Sequence, residues 1–121
     1  MELQKLNQDF TVCKIDNIDK VDFTREFVFL SKTDDEISLV CESTSVPSTV
    51  IASEADWKAL KISGILDFEM LGVISKISSI LAEESISIFV VSTYNTDYIL
   101  VKTVNFDKCV QTLVCNGYII K

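Results

Sequence analysis

Residues 86–102 read ISIFVVSTYNTDYILVK and predict a central β-hairpin. Both alternating sets of side chains at the start of this stretch are largely apolar, a pattern typical of a strand that is covered on both faces. The polar run 93–97 consists of turn-forming residues, and the β-branched and aromatic run 98–101 predicts a second strand that returns antiparallel to the first. The turn between the two strands therefore carries the polar groups of the hairpin.

Amphipathic helices are predicted on both sides of this hairpin. Residues 71–83 form the clearer one, because apolar side chains recur there at the i, i+3, i+4, i+7 spacing of one helix face; they are Met70, Val73, Ile74, Ile77, Ile80 and Leu81. Asn105 is a suitable N-cap for the second helix, and Gly117 ends it. With strands at 57–63 and 118–120, the second half reads strand, helix, strand, strand, helix, strand. This order predicts an α+β fold with the ferredoxin-like βαββαβ arrangement.

The first half of the chain is rich in strands and leaves too little sequence for full-length helices. Strands are predicted at 3–6, 10–15, 27–31 and 37–42, with a polar bridge at 16–26. Residues 42–49 have the composition of a linker. We therefore predict two modules, residues 1–54 and residues 55–121.

The hairpin of the first half repeats the central one. Aligning Ser31 with Ser92, a spacing of 61 residues, superimposes the two strand pairs without a gap and puts Glu36 on Asp97. Both hairpins have the same order of strand, turn, acidic residue and strand, which indicates an internal duplication.

The residues around the central hairpin resemble the ACT domain family. The resemblance rests on the Ser-Thr-aromatic-Asn-x-Asp run at 92–97, with GILDF at 64–68 and LGV at 71–73 upstream. It covers residues 57–121 and includes the first half only as a degenerate copy. Within the family, the chain is similar to small tandem-ACT proteins of the aspartate-kinase type, such as the cytosolic arginine sensor of the TOR pathway. The resemblance implies an ACT module in the second half, packed on a degenerate, strand-rich, ACT-like first half.

The loop at 64–70 is a candidate binding site, because it runs from a strand into a helix. The first amide N–H groups of that helix are free to bind an anion such as an amino-acid carboxylate. Asp67 would contact the ligand or, alternatively, only cap the helix. Gly64 and Gly72 would let the backbone approach a ligand closely, although packing alone also explains them. For Phe68, a place in the core is the alternative to ligand contact.

Asp97 is the second candidate, because a carboxylate at the start of the returning strand can meet a ligand ammonium group. Its alternative role is to cap the turn. The resemblance implies that Asp97, Thr93 and Tyr94 line an amino-acid site between ACT modules, and a site between two repeats would add Ser31 and Glu36. The complete predicted ligand-binding set is Thr93, Tyr94, Asp97, Asp67, Phe68, Gly72, Val73, Ser31 and Glu36.

Composition argues against several classes of function. Eleven basic and eighteen acidic residues give a net charge of −7 without a lysine or arginine cluster, whereas nucleic acids and anionic membranes need a positive surface. The chain has no histidine, phosphate loop or nucleophile motif, so we expect neither an enzyme nor a cofactor. Its four cysteines lie inside apolar runs, which favours buried reduced thiols over a zinc site. The chain shows neither a membrane-length apolar run nor a signal-peptide pattern, which predicts a cytoplasmic protein.

Together these features predict a non-catalytic regulatory protein that binds a free amino acid. The alternative is a protein-interaction or dimerisation module without a small-molecule ligand. The short helices of the first half should leave apolar surface uncovered, so we expect a homodimer formed through sheet edges or side-by-side helices.

Overall fold

The computed structural model describes residues 1–64 and 72–121, and its fold is α+β, as predicted. In chain order the elements are β1 (Glu2–Lys5), β2 (Phe10–Ile15), β3 (Val28–Lys32), β4 (Ile37–Glu42), β5 (Ala52–Ile62), α1 (Val73–Glu83), β6 (Phe89–Ser92), β7 (Asp97–Lys102), α2 (Phe106–Cys115) and β8 (Ile119–Ile120). Single 3-10 turns lie at Ile18–Lys20, Ser43–Ser45 and Thr103–Asn105. In the described part of the chain, no helix has the length and apolarity needed to cross a membrane.

The chain divides into two compact units. Residues 1–7 and 58–121 form the first, here named the helical unit, and residues 8–57 form the second, named the strand unit. β5 supplies residues to both units, so the predicted module boundary between residues 54 and 55 falls inside this strand. The first seven residues lie in the unit that holds both helices, although the sequence assigned them to the amino-terminal module.

The sheet of the helical unit has the strand order β6-β7-β5-β1-β8. β1 pairs antiparallel with β5 and parallel with β8. The strand, helix, strand, strand, helix, strand order predicted from sequence is present in β5, α1, β6, β7, α2 and β8. β1 is an addition to that pattern, and it separates the first strand of the module from the last.

The core of the helical unit lies between one face of this sheet and the two helices. Its fully buried members come from β5, β7, α1 and α2, with one from β1: Leu3, Leu60, Ile62, Ile77, Leu81, Ile99, Val101, Cys109 and Leu113. The helical residues recur at the spacing expected for one buried face. The same face of the sheet therefore holds both helices.

α2 ends in the Schellman geometry that Gly117 permits. Gly117 has φ 93° and donates its N–H to the Val114 carbonyl at 3.1 Å, while the Tyr118 N–H reaches the Leu113 carbonyl at 3.1 Å. Two otherwise unpaired carbonyls of the last turn are thereby satisfied. The predicted stop is confirmed, whereas Asn105, at the predicted N-cap position, makes no side-chain capping bond because the preceding 3-10 turn already runs into α2.

α1 ends in the same geometry without a glycine. Ser85 has φ 59° and donates its N–H to the Ala82 carbonyl at 3.0 Å, and the Ile86 N–H reaches the Leu81 carbonyl at 3.0 Å. Leu81 and Ile86 are both buried in the core of the helical unit, which is the hydrophobic contact that accompanies this motif. A serine thus occupies a backbone conformation that favours glycine.

The strand unit is an antiparallel sheet in the order β3-β4-β2-β5. Its core contains Cys13, Ile15, Leu39 and Cys41. The polar bridge forms one 3-10 turn, in which the Asn17 side chain accepts the Asp19 N–H at 2.9 Å. The prediction that any helix here would be short is confirmed for this segment.

β5 is eleven residues long and starts before the predicted strand at 57–63. Its pairing with β2 contains a bulge, in which Ala55 and Asp56 together lie opposite Thr11. Asp56 has φ 68°, a left-handed conformation. The bulge interrupts the period-two alternation on which the sequence prediction depended, and this explains why the first half of β5 was missed.

The two hairpins share one turn geometry. In β3–β4, Lys32 pairs with Ile37, and the Thr33 N–H donates to the Glu36 carbonyl at 2.9 Å. In β6–β7, Ser92 pairs with Asp97, and the Thr93 N–H donates to the Thr96 carbonyl at 2.8 Å.

The register of these hairpins corresponds at a spacing of 60 residues, so the predicted spacing of 61 is wrong by one. Thr33 corresponds to Thr93, and Glu36 corresponds to Thr96 rather than to Asp97. A one-residue slip moves every side chain to the other face of a strand. Ser31 and Glu36 are consequently not the structural counterparts of Ser92 and Asp97.

Candidate functional site

The turn of the central hairpin is fixed by two threonines. The Thr93 hydroxyl lies 3.1 Å from the Thr96 carbonyl oxygen and 3.4 Å from the Thr96 amide nitrogen. The buried Thr96 hydroxyl donates to the Ile62 carbonyl of β5 at 2.8 Å. Thr96 was not among the predicted site residues, although it is the unspecified position of the Ser-Thr-aromatic-Asn-x-Asp run. It holds the turn against β5 and so defines the geometry around it.

A pocket of about 250 Å³ lies beside this turn and is here named the hairpin pocket. It is lined by Lys61, Gly64, Thr93, Asn95, Thr96 and Tyr98. The Lys61 ammonium nitrogen lies 5.9 Å from the centroid of the Tyr98 ring. Thr93 is the only member of the predicted ligand-binding set among these lining residues, and Lys61 was not predicted because its strand position showed no special pattern.

Lys61 and Tyr98 lie on the face of the sheet away from the helices. Their strand neighbours Leu60, Ile62 and Ile99 are buried in the core beside α1 and α2. Because side chains alternate along a strand, Lys61 and Tyr98 must point to the opposite face.

Asp97 has the opposite orientation. It is half-buried, pairs with Ser92 at the first register position of β7, and shares its face with Ile99 and Val101 of the helix-side core. Tyr94, in contrast, is 80% exposed at the tip of the turn. Asp97 and Tyr94, two candidate residues of the same hairpin, therefore have very different surroundings.

The start of α1 borders a second pocket, of about 240 Å³, here named the helix-start pocket. It is lined by Met1, Gly72, Val73, Lys76, Asn116, Gly117 and Tyr118. Gly72 is the N-cap with φ 74°, and its carbonyl accepts the first helical bond from the Lys76 N–H at 2.9 Å. A glycine N-cap has no side chain to bond the first amides of the helix, and no side chain of the described residues caps them. Val73 is half-buried and packs against the core of the helical unit.

The remaining predicted residues have separate positions. Asp67 and Phe68 lie outside the described residues. Ser31 is exposed on β3 and pairs with Ser38 of β4. The Glu36 carboxylate accepts a hydrogen bond from the Ser38 hydroxyl, which ties it to its own hairpin.

Three of the four cysteines are buried, as predicted, whereas Cys115 is exposed. Residues 1–64 and 72–121 hold no group of three or more metal-binding side chains. Burial raises the pKa of Cys41 to about 12 and that of Cys109 to about 11, and it also raises the pKa of Cys13. These thiols are therefore protonated at neutral pH, and the thiolate is the reactive form.

The βαββαβ order with both helices on one face of the sheet defines an α+β fold of the ferredoxin-like type. The family model for the ACT domain matches residues 52–114, which is more than half of the chain. This chain belongs to the ACT domain family. The finer resemblance to the arginine sensor of the TOR pathway is not part of this match.

Solved structures share the fold. A protein of Agrobacterium tumefaciens, Atu0741, is 28% identical with a TM-score of 0.88, and the similarity covers 99% of this chain and 91% of that one. The aspartate kinase of Clostridium acetobutylicum, described as an allosteric enzyme, is 16% identical with a TM-score of 0.64, covering 88% of this chain and 32% of the kinase.

A third similar structure is a putative carboxy-terminal regulatory domain of aspartate kinase from Porphyromonas gingivalis. It is 16% identical with a TM-score of 0.53, and the similarity covers 92% of this chain and 91% of that domain. No curated protein matches the chain. These similarities show the fold, and this chain spans about a third of the length of the Clostridium acetobutylicum kinase.

Proposed function

We propose that this protein is a non-catalytic ACT sensor that binds a free amino acid and passes its bound state to a partner. The observation that carries the proposal is the start of α1, where the N-cap is Gly72 and no side chain of the described residues caps the first helical amides. Backbone donors at the positive end of a helix suit a carboxylate, and the Lys76 side chain lines the same pocket.

The ligand ammonium group would pair with Asp97. This carboxylate lies on the helix-side face of the sheet, the face against which α1 packs. Tyr94, at the tip of the same turn, would contribute to this site, whereas Thr93 lines the hairpin pocket. This arrangement is the one expected of tandem-ACT proteins similar to the arginine sensor, and such a sensor of free metabolites would act in the cytoplasm, where its thiols stay reduced.

A dimerisation module without a ligand is the second candidate. It is favoured by apolar side chains that are exposed at one edge of the helical unit, where Ile119 of β8 is 57% and Met1 48% exposed. Among the described strands β8 pairs with β1 alone, so within this part of the chain its other side is an open sheet edge. A homodimer is compatible with both candidate functions. In the sensor, the amino acid would then bind within the pair of ACT chains.

A thermal-shift screen of the twenty amino acids tests the proposed function. A ligand at a hundred times its dissociation constant should stabilise the protein by about 2.7 kcal/mol. We expect one amino acid, or one chemical group of them, to raise the melting temperature. If none does so and the protein is still a dimer, the module without a ligand is the correct function.

A further inference from the structure

We propose that the hairpin pocket is a second binding site, which takes an oxyanion of a small molecule, either a carboxylate or a phosphate group, through Lys61. This site goes beyond the proposed amino-acid site, because Lys61 and Tyr98 lie on the opposite face of the sheet from Asp97 and α1. Its volume of about 250 Å³ suits a metabolite smaller than a typical drug.

The charge of Lys61 has no ion-pair partner among the described residues. The chain has eighteen acidic and eleven basic residues, yet in the described residues no carboxylate makes an ion pair with Lys61. Lys61 is half-buried. The Tyr98 ring lies near the outer limit of a cation–π contact, about 6 Å, and compensates only weakly. An anion in the pocket would supply the missing partner.

The other lining residues suit an anion as well. No acidic side chain is among the described lining residues, and Asn95 contributes an amide whose side chain makes no hydrogen bond in the described part of the chain. The Thr96 hydroxyl is already donated to Ile62, so it positions the wall instead of contacting the ligand. Lys61 and Asn95 are thus the available donors, with Thr93 at the rim.

Titration of the full chain, monitored by backbone amide NMR shifts, tests this proposal. The probes are inorganic phosphate, acetate and glutamate, with arginine amide as a cationic control that has no carboxylate. We expect at least one anion to shift the amides of Gly64, Asn95 and Thr96, and we expect the arginine amide to leave them unchanged. Phosphate and carboxylate probes separate the two sources of the oxyanion.

Lys61→Gln should weaken that binding at least about tenfold, since a hydrogen bond to a charged group is lost. Lys61→Arg should retain most of it because the charge stays. Lys5→Gln is the matched control, as Lys5 is an exposed lysine on β1 of the same unit. Equal anion affinity in Lys61→Gln, shifts centred on Gly72 and Val73, or no shift with any anion would each overturn the proposal. Shifts centred on Gly72 and Val73 with glutamate would instead support the amino-acid site at the start of α1, and binding that is lost in Lys61→Gln does not depend on Asp97, so the two proposals fail independently.

Discussion

Asp97 carries the only negative charge in the predicted hairpin motif, and its effect on binding should therefore be separable from its effect on folding. Asp97→Asn keeps the shape and removes the charge. We expect amino-acid affinity to fall by about 1.5 to 3 kcal/mol, roughly 10- to 150-fold, with little change in the melting temperature without ligand. Calorimetry on a confirmed ligand measures this. Asp34→Asn in the other hairpin turn is the control, and parental affinity in Asp97→Asn would show that Asp97 is structural.

Ser85 stores backbone strain that glycine would relieve. Its φ of 59° closes the last turn of α1, and a left-handed residue with a side chain costs about 1 to 2 kcal/mol. Glycine also makes the unfolded chain more flexible, so Ser85→Gly should raise the free energy of unfolding by only about 0.5 to 1 kcal/mol. Urea denaturation checks the value. Ser87→Gly, at an exposed position without positive φ, should give no gain; an equal gain there would mean that strain is not the cause.

The buried thiols make a prediction about pH. The pKa of Cys109 is raised from 9.0 to about 11, so below about pH 9 this thiol is neutral in the folded and unfolded chain alike. Between pH 9 and 11 only the unfolded chain releases the proton, and the contribution of this thiol to stability is lost as pH rises.

At pH 8 a chromogenic thiol reagent should modify the exposed Cys115 quickly and the three buried thiols only after denaturation. Rapid modification of Cys115→Ser would contradict this.

At the scale of elements, β1 is the addition on which the ACT module depends. Leu3 is fully buried in the core of the helical unit, and β1 pairs on both sides, with β5 and β8. Leu3→Ala should lower the free energy of unfolding by about 2 to 5 kcal/mol, whereas the exposed neighbour Gln4→Ala should cost far less. A fragment of residues 55–121 should not fold cooperatively until a peptide of residues 1–7 is supplied. Cooperative unfolding of that fragment by itself would show that β1 is dispensable.

Elements whose signal is local could be predicted from the sequence. The helix periodicity around Ile77, the glycine stop at 117 and the polar turn at 93–96 each depend on neighbouring residues, and all three are present in the structure. The insertion of β1 depends on contacts between Leu3 and residues about sixty positions away, which single-sequence patterns do not encode. The same limit explains the slip of one residue between the hairpins, since only the turn hydrogen bonds fix their register.

The sequence predicted the kinds of chemical group in the candidate site, but not which residues fold together there. Gly72 borders the start of α1, whereas Lys61 became visible only when folding brought its strand beside Tyr98 and the turn. A pocket is formed by residues from distant parts of the chain, so a lone lysine in a strand gives no signal. The pairing partners of its strand, and the face of the sheet to which its side chain points, must be known before such a lysine can be assigned to a site.

At the scale of the whole molecule, the open edge at β8 predicts self-association. Ile119 is 57% exposed, and burying one isoleucine side chain stabilises an interface by about 1.5 to 3 kcal/mol for each copy. We expect light scattering to give twice the chain mass for the parent and the chain mass for Ile119→Lys, because the substitution places like charges at a self-complementary contact. Val104→Lys, on the 3-10 turn before α2 and 88% exposed, should remain dimeric.

The same pair of variants tests whether dimerisation completes the ligand site. If the amino acid binds within the pair, affinity in Ile119→Lys should fall along with the dimer mass and should recover at protein concentrations that restore the dimer, because binding and association are linked. Val104→Lys should keep the parental affinity. Calorimetry at two protein concentrations measures both quantities. A monomeric Ile119→Lys that binds the amino acid as tightly as the parent would place the whole site in one chain, and a monomeric parent would remove the basis for the predicted dimer.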